Sequence, residues 1–226
     1  MRFNHLKIQP LLMHEYLKLA SLALATMVFS TAVKAQNDDF QDTRRKNESF
    51  ARLQPKEVRA DVATFALAGI SESVGALPLE KIPYQTFGND SMTFAGDKII
   101  AKVKIAKFDP AKHKLTYDEK YLTRIDKKAY YGNYGNMPKT YISNVSVIIS
   151  GDTVLIPPAA YSDLFNLNLT YSDQGVKRTT NAIYKSQDGS RVYLYLFCKD
   201  NTGSYEVTWI FQDRKYVRRV LDYGFM

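Results

Sequence analysis

Cysteine, histidine and tryptophan are the scarce residues of this chain. Its 226 residues include one Cys, one Trp and three His. Each scarcity closes off a kind of chemistry. A lone Cys198 cannot form an intramolecular disulfide, and beside Leu196 in an apolar run it reads as a small buried core residue. Of the histidines only His113 lies beyond residue 35. A zinc site needs three or four ligands and would have to be built almost wholly from carboxylates, so no metal is expected. A Ser–His–acid triad would have to use His113, which is flanked by Lys112 and Lys114 in the turn-like DPAKHKLTYD. Gly-rich phosphate loops, GxSxG, HExxH and acidic calcium loops are all missing, and no cofactor is expected. Together these gaps weigh against an enzyme.

What is present begins with residues 19–33, an apolar and uncharged run of fifteen preceded by Lys18 and followed by Lys34-Ala35. With small residues at Val33 and Ala35 positions suited to a signal peptidase, residues 1–35 read as a secretory signal peptide cut before Gln36. The run falls short of the roughly 20 residues a bilayer span needs, so no stable membrane span is expected after cleavage. Met13 offers a second, more compact start to the same signal. The expectation is an exported bacterial protein, periplasmic or secreted. The formal net charge of +8 lies partly in the leader; it favours solubility and carries no nucleic-acid signature.

Residues 36–54 are polar and charged and read as a flexible leader, with a short helix near 48–53. A single α+β domain is expected over 55–226. Pro55 can open a helix in which Val58, Val62, Phe65 and Ile70 recur at near-helical spacing and Gly69 marks the stop. Its expected role is to cover one face of a sheet. Residues 75–96, with Pro78, Pro83 and Gly88, read as irregular connections. Residues 97–108 alternate: Ile99, Ala101, Val103 and Ile105 point one way, Lys98, Lys102 and Lys104 the other, as in a strand with one wet face. A second strand is expected over 113–117, a short helix or loop over 118–128, and a hairpin from 140–149 through Ser150-Gly151-Asp152 to 153–156. Helical turns over 159–165, a loop or edge strand over 168–180 and a lead-in over 181–185 follow.

The organising stretch is 191–223, three apolar runs separated by short polar turns, which reads as an antiparallel meander. Both faces of its first run are apolar, as in a central strand; the last run is more polar, as at an edge. Tyr205, Val207, Trp209 and Phe211 share one face, expected to pack beneath the helix. The fold class predicted is therefore α+β: a mostly antiparallel sheet, sandwich or half-barrel, with a three- to four-stranded C-terminal meander and one N-terminal covering helix.

For function, the distinctive segment is AYYGNYGNMP. Tyr130, Tyr131 and Tyr134 with Asn133 and Asn136 combine rigid amphipathic rings and adaptable amides, a composition suited to recognition; the competing reading is that these rings plug the end of the sheet. The leading expectation is a non-enzymatic envelope or secreted binding module using this loop, with a glycan or an envelope protein as partner. A carboxylate-dependent polysaccharide hydrolase would need two acids about 5–10 Å apart, drawn from Asp118, Glu119, Asp126, Asp163, Glu206 and Asp222. Glu206 itself is expected to face solvent, paired with a cross-strand cation. A structural or partner-inhibiting protein using a flat sheet face is the third possibility.

Overall fold

A computed structural model describes residues 48–133, 135–199 and 203–224. Every described residue belongs to one compact unit, Arg44–Met226, and the expected signal peptide lies outside the described residues. Two short helices open it, α1 (Glu48–Ala51) and α2 (Lys56–Ala63), followed by a 3₁₀ segment, Leu67–Glu72. Fourteen strands follow: β1 (Glu80–Ile82), β2 (Tyr84–Phe87), β3 (Ser91–Gly96), β4 (Ile99–Lys107), β5 (Leu115–Asp118), β6 (Tyr121–Ile125), β7 (Thr140–Ile149), β8 (Asp152–Val154), β9 (Tyr171–Asp173), β10 (Val176–Arg178), β11 (Ala182–Lys185), β12 (Arg191–Cys198), β13 (Tyr205–Gln212) and β14 (Lys215–Tyr223).

Two five-stranded antiparallel sheets carry the fold, one ordered β1-β11-β12-β13-β14 and the other β2-β3-β4-β7-β8. Strand alternation decides what lies between them. Met92, Phe94, Val103 and Val147 from the second sheet meet Leu194, Leu196, Trp209 and Phe211 from the first in one buried cluster, the interior of a sandwich. The predicted α+β class, its antiparallel sheets and its C-terminal meander are all present.

Pro83 sits where the chain leaves the first sheet at β1 and enters the second at β2, a position that asks no ladder hydrogen bond of its missing N–H. Residues 75–96 therefore hold three short strands rather than irregular connections. Residues 118–128 likewise differ from expectation. The positive φ of Glu119 turns the chain into β6, and Leu122 and Ile125 are buried beneath the β5–β6 hairpin.

The first sheet's outer face is the one the N-terminal helices cover. Phe50, Leu53, Val58 and Val62 pack against Tyr193, Tyr195, Ile210 and Val220. This corrects two expectations. Residues 48–54 belong to the fold rather than to a flexible leader, because Phe50 and Leu53 are buried. Trp209 and Phe211 lie in the sandwich interior and not beneath the helix, since odd-numbered residues of β13 face inward and even-numbered ones face α2. The helix also stops at Ala63, short of Gly69. The backbone N–H groups of Leu67 and Ala68 turn to the Glu206 carboxylate, at 2.7 and 2.8 Å, and that leaves Ile70 exposed. Gly69 serves close packing instead: a Cβ there would lie 2.6 Å from the Phe50 ring.

Candidate functional site

The segment from Ala129 to Pro138 crosses one end of the sandwich, and its tyrosines divide. Tyr130 is buried with Phe108, Leu122, Ile125 and Phe165 in a small cluster of its own. Its hydroxyl accepts from the Gly135 N–H at 3.1 Å and lies 3.1 Å from the Leu122 carbonyl and 3.0 Å from that of Asn136. This ring plugs the sheet end and organises the loop from within. Tyr131 is half-buried. Its N–H donates to the Asp163 carbonyl and its carbonyl accepts from Phe165, both at 2.9 Å, while its ring leans on Tyr223 at 5.7 Å. Burial raises its phenol pKa. Gly132 makes this seam possible, because at φ +94° a Cβ would stand 2.3 Å from the Phe165 carbonyl oxygen. Asn136 is exposed, and Tyr134 lies outside the described residues.

Asn133 opens onto something the loop alone does not form, a polar groove of about 550 Å³. The β2–β3 turn at Gly88-Asn89 forms one wall, residues 166–170 the other, with Lys139 and Thr140 between. The sequence N-L-N-L at 166–169 explains the second wall. Leu167 and Leu169 enter the sandwich core, while Asn166, at a left-handed φ of +53°, stays half-buried and Asn168 exposed. Asn181 fixes this stretch from below, donating through Nδ2 to the carbonyls of Asn168 and Leu169 at 3.0 and 3.1 Å and accepting from Phe197 N–H at 3.0 Å.

The two amides are oriented in opposite senses. Asn166 Oδ1 accepts the N–H groups of Lys139 and Thr140, at 2.8 and 3.2 Å, and directs its Nδ2 donors away from them. Asn168 donates Nδ2 to the Lys199 carbonyl at 2.9 Å, so its Oδ1 remains an acceptor. Asn166, Asn168 and Asn89 did not figure among the sequence candidates. The N-L-N-L alternation was the signal that could have found them.

The carboxylates considered for hydrolysis also find definite places. Asp118 and Glu119 are exposed in the β5–β6 turn. Asp163 is held by Arg219 through two hydrogen bonds of 2.5 and 2.8 Å. Asp126 accepts from His113 Nδ1 at 2.7 Å, and that bond, ahead of one from Lys114, lowers its pKa. Glu206 and Asp222 are direct cross-strand neighbours, and both are buried, which overturns the expectation of a solvent-facing Glu206. Burial raises both pKa values; for Asp222, burial followed by the Glu206 charge pushes it up to about 7. Their oxygens are occupied by backbone donors. Asp222 accepts from Ser49 and Phe50 N–H at 3.0 and 3.1 Å, and Glu206 takes Tyr195 O–H at 2.9 Å beside the two 3₁₀ amides. The pair thus satisfies the orphan donors of two helix starts. Neither residue lines the groove.

Among the described residues no cluster of three or more potential metal ligands forms, and no helix is long and apolar enough to cross a membrane. Comparison with family models, with curated proteins and with solved structures finds no match to this chain.

Proposed function

We propose that the chain is an exported, non-enzymatic binding module, and that the groove between Asn89 and Asn168 takes a neutral, hydroxyl-rich ligand of the glycan class. The observation that carries this reading is the opposed orientation of Asn166 and Asn168. One presents donors and the other an acceptor, both held by backbone partners before any ligand arrives. A sugar hydroxyl both donates and accepts, and pre-oriented partners reduce the ordering cost of binding it. Carboxylate and imidazole are absent from the described groove lining, and Lys139 is its one charged side chain among neutral amides, hydroxyls and apolar groups. Export rests on the signal-like residues 1–35.

A glycan array probed with wild type, with an Asn89→Ala/Asn168→Leu double variant and with Asn136→Ala tests this. Wild type should retain a set of neutral glycans, and the double variant should lose about tenfold or more in affinity for them, as expected for two neutral hydrogen bonds. Asn136→Ala, which lies outside the groove lining, should match wild type. Loss on Asn136→Ala with the double variant unaffected would return the site to the tyrosine loop. A wild type that retains no glycan would end the reading.

A further inference from the structure

A second cavity, of about 400 Å³, opens beside His113. We propose that it binds a small aromatic molecule carrying one neutral hydroxyl, a phenol-class ligand, through the imidazole Nε2. This inference is independent of the Asn166–Asn168 groove.

The imidazole is locked on two sides. Its ring stacks on Phe108, with centroids 4.7 Å apart and planes 24° apart. Its Nδ1 lies 2.7 Å from Asp126 Oδ2. Asp126 is fixed in turn, since its Oδ1 accepts the Lys114 N–H at 2.8 Å and its own N–H donates to the Lys114 carbonyl at 2.8 Å. Asp126 engages Nδ1, so Nε2 is the ring nitrogen left for a ligand, and in the neutral imidazole with its proton on Nδ1 it is an acceptor. His113 itself lines the cavity.

The walls specify the rest of the ligand. Tyr130, Tyr141, Tyr161 and Phe165 line the cavity with Ile125 and Pro158, surfaces that suit the face and edge of an aromatic ring. The size falls within the range of small-molecule sites, roughly 300–1,000 Å³. Lys128 and Asp126 both line the cavity, and the Asp163 charge is already matched by Arg219, so no single unbalanced charge there calls for an ionic head group. A neutral hydroxyl is enough to engage Nε2.

The test compares phenol with toluene, the same ring without the hydroxyl, by NMR titration of the His113 ring protons and neighbouring amides. Phenol should give saturable shifts with an affinity about tenfold above that of toluene, the worth of one neutral hydrogen bond. His113→Phe should abolish that preference, and Asp126→Asn, which releases the tautomer, should reduce it. Melting temperatures of both variants report whether they fold, and the wild-type comparison decides the matter without them. Equal affinity for phenol and toluene, or no saturation by phenol at His113, overturns the proposal.

Discussion

The outer faces of the two sheets have opposite fates. On the first sheet, β12 and β13 are apolar or satisfied on both sides, and α1, α2 and the 3₁₀ segment cover Tyr193, Tyr195 and Ile210. On the second, Lys102 lies between Thr93 and Ser146, and Lys104 between Ser91 and Asn144, all half-buried or exposed. The contrast shows how a sandwich settles which sheet receives the helices. A strand that is apolar at every position needs a cover on both sides; one that alternates needs only its partner sheet. The covered face must also absorb polar backbone at the helix starts, and for that it holds two buried acids.

The strongest way to break the comparison is to attack the shared interior. Trp209 is fully buried and its Nε1–H donates to the Ala160 carbonyl at 3.0 Å. Trp209→Ala should cost about 3–5 kcal/mol in urea unfolding. A variant as stable as wild type would remove Trp209 from the core.

Next is pH, read through the two buried acids of the covered face. Asp222 and Glu206 have native pKa values raised above their unfolded ones, so the native state holds the proton more tightly. Their stabilisation is complete below about pH 4 and is lost as pH rises through about 7, the value for Asp222. Unfolding free energy should therefore fall between pH 5 and 7 with a slope approaching ~1.4 kcal/mol per pH unit for one proton. Asp222→Asn should flatten it. A slope unchanged in that variant would assign the proton elsewhere.

Tyr130→Phe keeps the ring and removes the hydroxyl that accepts from Gly135. About 1 kcal/mol should be lost, with faster amide exchange at Gly135 as its local signature. The smallest effect belongs to the other outer face: Lys102→Ala should stay within ~0.5 kcal/mol of wild type. A larger loss would mean that this face, too, supports structure.

Much of this was legible in the chain because strand alternation is a local property. The inward set of β13 (Tyr205, Val207, Trp209 and Phe211) follows from period two, and the central place of β12 follows from apolar residues on both its faces. Which layer meets which face is not local. Parity grouped Trp209 with Phe211 correctly but placed the helix against the wrong side. Glu206 was misread for a related reason: its partners, the amides of Leu67 and Ala68, lie 139 and 138 residues away. The tyrosine loop shows the limit from another side. Nothing near Tyr130 in the chain distinguishes it from Tyr131, and its burial depends on Phe108, Leu122 and Phe165, drawn from three separate segments. The groove leaves a weaker trace, since N-L-N-L carries an apolar–polar alternation but its asparagines lack the rings that make a recognition loop distinctive in sequence.

The Asp222 carboxylate has one more effect. By accepting Ser49 and Phe50 it joins positions 172 and 173 residues apart and so ties α1 to the strand that ends the domain. In topological terms the fold is nearly a ring. A chain permuted by bridging residues 224 and 48 with a short flexible linker, and opened at the Ser150-Gly151 turn between β7 and the edge strand β8, should assemble the same two sheets. In that permutant the two ends of the domain would be joined through the backbone as well as through a side chain.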